Sequence, residues 1–464
     1  MSNDLNESTD ASNFQSFTKT SDISNASNFA KESQPKLVSQ FIDFILGHRD
    51  FCIYIFYAIV LFLAYWPAFT NVYAYLDDWP QLALGTQDNA AKWLVSNQIG
   101  LGRPGLSFFF WFINLFFVPT IETIEFIRLF STLILLFSSI VCYKIIKRFA
   151  VFENSDKGII PTIFIPILLM LLPSVIVGVA WTVVLNLPIA MLFSFLAYYF
   201  VRAAQQSLSN KVKKYFYFSA ALAAIIISFG FSQITGMCFL VVLIVEFFLS
   251  DREFSLKAVL PPLIVLAAGM LSALFMIKLL PMLLFNQEAV GRSALNMDFL
   301  TSLKIFISTP LTRILNNFFI VGNFTLMGKI LFIAGWFFIG PKNKVLKMIL
   351  LPFFIFAAFI PRFMINESVV TYRTLCAISM AVSMLMIFGI YKILDLILTF
   401  FKRNYLIWVF FFILTFGLAV NAANNIVKGF VIPFNVEFAA LTSELKEISD
   451  KREITDLIIY RPEY

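Results

Sequence analysis

A chain of 464 residues that is 59% hydrophobic and only 14% charged, with 57 phenylalanines and a mean hydropathy of +0.83, has more apolar surface than a soluble core can hide. Soluble domains carry roughly 25% charged residues, so lipid must solvate the excess and the fold class is an all-α polytopic membrane protein. The net charge of +7 is spread over short connections between apolar runs, which excludes a nucleic-acid partner, and the single histidine, His48, excludes a His-based triad or zinc site.

Residues 1–40 are rich in Ser, Asn and Asp and poor in large apolar side chains, which predicts a disordered, cytoplasmic N-terminal segment. It lacks a basic stretch leading directly into an apolar core, so it does not read as a cleaved leader, and the first span acts as an uncleaved start signal. The multi-span domain then runs over 41–421. A span needs about 20 mostly apolar residues. About eleven stretches qualify, near 51–70, 126–146, 159–178, 186–203, 215–231, 236–250, 259–281, 321–340, 348–364, 374–394 and 405–421. The segments LSFFFWFINLFFV (106–118) and MDFLTSLKIFISTPLTRIL (297–315) read as interfacial helices in outer loops. Cys52, Cys142, Cys238 and Cys376 lie in or beside apolar runs without metal-ligand spacing and read as small buried hydrophobes.

Short cytoplasmic connections are enriched in Lys and Arg. Five alternate connections hold sixteen basic residues, among them Lys147, Arg148, Arg202, Lys213, Arg252, Lys347 and Arg403, whereas the short opposite connections hold only Arg373. This places the N-terminus in the cytoplasm and the C-terminus outside. The larger outer segments are then 71–125, 282–320 and the tail 422–464, longer than chain reversal requires. The tail joins a helix-like stretch (NVEFAALTSELKEISDKRE) to a strand-like one (ITDLIIY), predicting a small α/β extracytoplasmic cap.

Polar residues near the outer side need a reason to be there. YLDDWP places Asp77 and Asp78 just past the first span. Adjacent carboxylates at a membrane edge repel, and they become useful with a substrate hydroxyl or a divalent metal between them; the plainer alternative is helix capping. Arg103, in GLGRPG, sits on a rigid corner and suits phosphate oxygens, or it merely snorkels. Glu122, Glu125 and Arg128 follow i, i+3, i+6 spacing at the entrance of the second span, as a structural ion pair or a substrate-binding one. Glu367, Tyr372 and Arg373 share a short outer loop, while Lys278, Arg292, Lys304 and Arg313 add positive charge on the same side. A cavity with acids on one wall and cations on another, open below to lipid, suits a ligand with a phosphate head and an isoprenoid tail.

The order of these features, YLDDW after the first span, then GRPGLSFFFWFIN, then IEFIRLFSTLILLFSSIVCYKIIKRF, resembles the GT-C superfamily of membrane glycosyltransferases over residues 50–150. The DDW…GRP variant and the compact tail are most similar to the bacterial Gtr-type glucosyltransferases that modify O-antigen, and thereby lipopolysaccharide. RPGLSFFFW departs from the Pro-Pro-Leu-Tyr-Tyr-type segment of the protein-mannosylating and lipid A-modifying branches. The resemblance implies a bacterial inner-membrane enzyme that moves a sugar, glucose in this branch, from undecaprenyl phosphate to a lipid-linked O-antigen or related glycan on the periplasmic face. It implies Asp77 as the base with Asp78 assisting, and Arg373, Arg103, Lys278 and Arg292 around the donor phosphate. Its partners would be the polyprenyl-phosphate-linked donor, the lipid-linked glycan acceptor, membrane lipids, a donor-making synthase and a donor flippase. No nucleotide-binding loop is needed, because the donor arrives activated through its lipid. A lipid or glycan flippase or transporter, and an O-antigen polymerase or ligase, are the rival classes.

Overall fold

The structure, a computed structural model, describes residues 48–74, 78, 96, 98–116, 121–150, 152, 158–207, 209–286, 303–304, 306, 310–315, 325–363, 372–403 and 405–451. Residues 1–56 and 57–464 form separate compact units, and the second contains the helical bundle. Among the described residues the chain is helix, turn and loop, with no strand. The elements are α1 (Arg49–Thr70), α2 (Pro104–Phe116), α3 (Ile121–Phe149), α4 (Ile159–Leu169), α5 (Pro173–Ala180), α6 (Asn186–Gln206) and α7 (Lys211–Phe231). They continue as α8 (Gln233–Leu249), α9 (Leu256–Phe285), α10 (Pro310–Leu315), α11 (Thr325–Phe337), α12 (Lys344–Ala357), α13 (Cys376–Phe400), α14 (Tyr405–Ile426) and α15 (Ile432–Lys451).

Seven of these helical runs are long and apolar enough to cross a membrane, and the bent pair α4–α5, angled by 47°, makes an eighth. The expectation of eleven is not met by length. The segments expected near 236–250, 321–340 and 348–364 are helical, but as the shorter α8, α11 and α12. Proline explains part of the irregularity: Pro166 sits inside α4, and Pro173 opens α5 where its missing N–H is harmless. Helices α9 and α14 turn Leu271, Phe275, Val409 and Ile413 outward, as a lipid-facing surface should, while α13 is buried continuously from Cys376 to Gly389. Close crossings use small residues. A side chain at Gly335 on α11 would strike the Leu385 carbonyl on α13, and one at Gly389 would strike Leu331 and Gly335 in return.

The basic connections gather at one end. Glu246, within the π-helical last turn of α8 (Val245–Leu249), is buried and fully engaged. Its Oε2 accepts from Tyr198 Oη (2.6 Å) and Arg202 Nε (2.9 Å), and its Oε1 accepts from Arg202 Nη2 and Arg252 Nη1. Arg252 Nη1 also donates to the Phe149 carbonyl (3.2 Å), and Lys347 Nζ donates to the carbonyls of Ser250 (3.0 Å) and Arg252 (2.7 Å). This network joins α3, α6, α8 and α12. Arg202 and Lys347, expected as loop charges, are therefore buried structural groups. Arg128 and Arg148 lie twenty residues apart on α3, so the opposite end of the bundle is about 30 Å away.

The tail beyond 421 begins differently from the expected cap. After α14 a π-turn (Val427–Val431) leads straight into α15, whose residues 435–440 are exposed. The run Tyr405–Lys446 is 42 residues, roughly 60 Å and about twice the hydrocarbon thickness. The strand-like residues 454–460 lie outside the described residues.

Gly335→Ala should lower stability by about 1–3 kcal/mol through overpacking. Gly417→Ala on α14, where nothing lies within 4 Å of a new Cβ, should be neutral or stabilising by up to ~1 kcal/mol. Thermal unfolding in detergent reads both, and equal melting of the two variants would refute the tight α11–α13 crossing.

Candidate functional site

The end opposite the basic network is built on a helix break. Where α4 and α5 stop, the carbonyls of Met170 and Ala180 lose their intrahelical partners. Tyrosines spaced along α1 and just beyond it supply the missing donors: Tyr65 Oη bonds the Met170 oxygen (2.5 Å) and Tyr73 Oη bonds the Ala180 oxygen (2.9 Å), while Tyr57 Oη bonds Ile163 (2.6 Å). Thr70 and Asn71 close α1 by donating to the carbonyls of Trp66 and Pro67. The extended residues that follow are thereby fixed, with Tyr73 buried.

Arg128 of α3 lies flat on that tyrosine, its guanidinium carbon 3.5 Å from the ring centroid. Its Nη2 donates to Asp78 Oδ2 at 3.3 Å, and neither side chain is exposed to any degree. Nε and Nη1 of Arg128 are also buried and have no protein hydrogen-bond partner among the described residues. A buried guanidinium with two unused donor positions is costly unless something else accepts from them. Burial pushes the Tyr73 phenol above its usual range; the Arg128 charge opposes that shift and the Asp78 charge adds to it. Glu125, half-buried one turn earlier on α3, acts electrostatically on Arg128.

A second cation also lies over an aromatic ring. Arg373, in the 3₁₀ turn Tyr372–Leu375 that opens α13, places its guanidinium carbon 4.8 Å from the Trp181 ring centroid. Trp181 directly follows Ala180, the residue that anchors Tyr73. The end of α5 thus leads into Trp181 and anchors Tyr73, and each of these rings lies under an arginine. Ser174 on α5 and Thr182 just past Trp181 hold buried hydroxyls without a partner among the described residues, as does the Oε1 of Gln98. Unmatched polar atoms of this kind gather where a ligand or water binds.

The other expected residues divide. Gly102 adopts φ 72°, a left-handed conformation that favours glycine, and its carbonyl accepts from Gln233 Nε2, so GLGRPG does form a tight corner with Pro104 opening α2. Arg103 and Tyr372 are half-buried. Lys278 is exposed on α9, outside the buried pair. Glu122 lies in the first turn of α3. Asp77, Arg292 and Glu367 lie outside the described residues. Among the described residues no group of three or more His, Cys, Asp and Glu side chains is placed to hold a metal ion.

Sequence reasoning passed over Tyr73, Trp181 and Glu246. Tyr73 stood inside the segment that supplied the acids, and Trp181 followed a proline-opened helix. Glu246, an acid within an apolar stretch, was marked by the general rarity of such residues. No family model matches the chain, and no curated protein and no solved structure matches it.

Arg128→Ala removes the guanidinium that bonds the buried Asp78 carboxylate and should cost about 3–5 kcal/mol. Removing both charges, Asp78→Asn with Arg128→Gln, should restore part of that loss. Thermal unfolding of the three proteins is the check, and wild-type melting of Arg128→Ala would show that the pair does not hold the site.

Proposed function

We propose that this chain is an inverting glycosyltransferase of GT-C type, moving glucose from undecaprenyl phosphate to a lipid-linked O-antigen or related surface glycan at the periplasmic face of the bacterial inner membrane. On this reading α8, α11 and α12 also cross, giving eleven passes, with the N-terminus cytoplasmic and the acid-bearing end outside. The observation that carries it is the Arg128–Asp78 pair. Directly after the first span, an acid is fixed by a guanidinium that keeps two buried donor positions open.

The chemistry follows from that placement. The acceptor hydroxyl oxygen attacks the anomeric carbon, the bond from that carbon to the phosphate oxygen breaks, and the hydroxyl proton passes to Asp77. Asp78 has one oxygen committed to Arg128 and suits orienting its neighbour. The departing phosphate gains charge, which Arg373 and the open donors of Arg128 are suited to stabilise. Arg103 fits a more peripheral contact. The bent pair α4–α5 favours a second reading, a lipid or glycan transporter, because discontinuous helices line substrate paths in transporters. Against it, the charges sit toward the two ends of the bundle and not midway.

The test is reconstitution of purified protein with synthetic undecaprenyl-phosphoglucose and a lipid-linked acceptor. Glycosylated acceptor is expected; translocated but intact donor would favour the transporter. Asp77→Asn preserves volume and capping ability and should lower turnover by ~10²–10⁴-fold, with Asp78→Asn losing less. Arg373→Ala should raise the donor concentration needed for half-saturation while the protein remains abundant in membranes. Wild-type turnover in both Asp variants, singly and together, would remove the acids from the mechanism.

A further inference from the structure

We infer that the basic end of the bundle carries a binding site for a phosphate group, at the corner where Arg148, Arg202 and Arg252 converge on Phe149. The Arg148 guanidinium carbon lies 5.3 Å from the Phe149 ring centroid and that of Arg202 lies 5.6 Å from it, while Arg252 bonds the Phe149 carbonyl. Three guanidiniums therefore meet around one residue. The carboxylate among them, Glu246, already accepts from Arg202, Arg252 and Tyr198 and is buried behind them. Asp251 acts on Lys347, and Glu253 accepts from Asn343.

Arg148 is the open member. It is exposed, and its partners are neutral: Nη1 donates to Tyr199 Oη (2.8 Å) and Nε to Gln206 Oε1 (3.1 Å). Those bonds fix a charged fork that no described carboxylate neutralises. Arg252 is one-third exposed beside it. Basic residues scattered over the ends of membrane helices need no common geometry. Here the side chains are oriented in advance by rings and hydrogen bonds, which is how arginine recognises phosphate oxygens. Tyr215 and Phe216, exposed near the start of α7, add an aromatic surface at the same end, of the sort found at the headgroup boundary. The phosphate of an anionic phospholipid and free inorganic phosphate share this chemistry.

The experiment measures thermal unfolding of the purified full chain with added phosphatidylglycerol, phosphatidylcholine, or inorganic phosphate without lipid. Phosphatidylglycerol should raise the melting temperature and phosphatidylcholine should not. Arg148→Gln should lose more than half of that rise, while Lys213→Gln, an exposed cation on α7 at the same end, should keep it. The same rise with inorganic phosphate alone, again lost in Arg148→Gln, would support the site and identify a soluble ligand. Equal rises in Arg148→Gln and Lys213→Gln would overturn the proposal, as would equal losses. Should Arg148→Gln fail to fold, Tyr199→Phe frees the guanidinium without removing its charge; a reduced rise supports the site and a full rise overturns it.

Discussion

A backbone carbonyl stripped of its helical partner in apolar surroundings must find another donor. The C-terminal ends of α4 and α5 create two such carbonyls, and tyrosines 65 and 73 answer them. The rest of the candidate site hangs on the second bond. Once Tyr73 is pinned to Ala180, its ring becomes the floor under Arg128, and Arg128 in turn fixes Asp78. The sequence of dependence runs from a proline-opened helix, through a phenol, to a carboxylate. Relaxing the end of α5 would therefore disturb the acid without touching it.

The two ends of the bundle treat charge in opposite ways. At the basic end a carboxylate is saturated: both oxygens of Glu246 are taken, and the surrounding cations bind helices together. At the other end a guanidinium is undersaturated, with Asp78 accepting from one of its nitrogens and Nε and Nη1 left open. A saturated network resists change and defines a shape. An undersaturated buried cation stores an unmet demand for negative charge, which an anionic ligand can answer. This difference, more than the number of charged residues, separates scaffold from site.

Much of the architecture was legible because composition and hydropathy act over long stretches. The apolar runs at 51–70, 126–146, 186–203, 215–231, 259–281, 374–394 and 405–421 all became long helices. At 236–250, 321–340 and 348–364 the helices α8, α11 and α12 are shorter than the apolar runs suggested, because hydropathy reports apolarity and not where a helix stops. In the site, the importance of 73–78 and of Arg128 was visible as charge placed against the membrane rule. The partnership between Asp78 and Arg128 was not visible, since it joins residues fifty apart in sequence. Trp181 was invisible for a plainer reason: a tryptophan near a span end resembles any interfacial anchor, and only its pairing with Arg373 distinguishes it.

Among the described residues there are two π-turns, Val245–Leu249 and Val427–Val431, and each adjoins a charged cluster: the first contains Glu246, and the second brings Phe430 against Tyr73 at 6.4 Å between ring centroids. A π-turn amounts to one residue inserted into an α-helix. Because the wider turn fits its extra residue into about the rotation of an ordinary α-turn, deleting one residue there would restore regular winding and leave the helix beyond nearly in phase. What such a deletion removes is local: at 427–431 it is the bulge that carries Phe430 to Tyr73. Descendants of this chain could therefore lose one residue within 427–431 and keep the faces of α15 while giving up the aromatic contact beside Arg128.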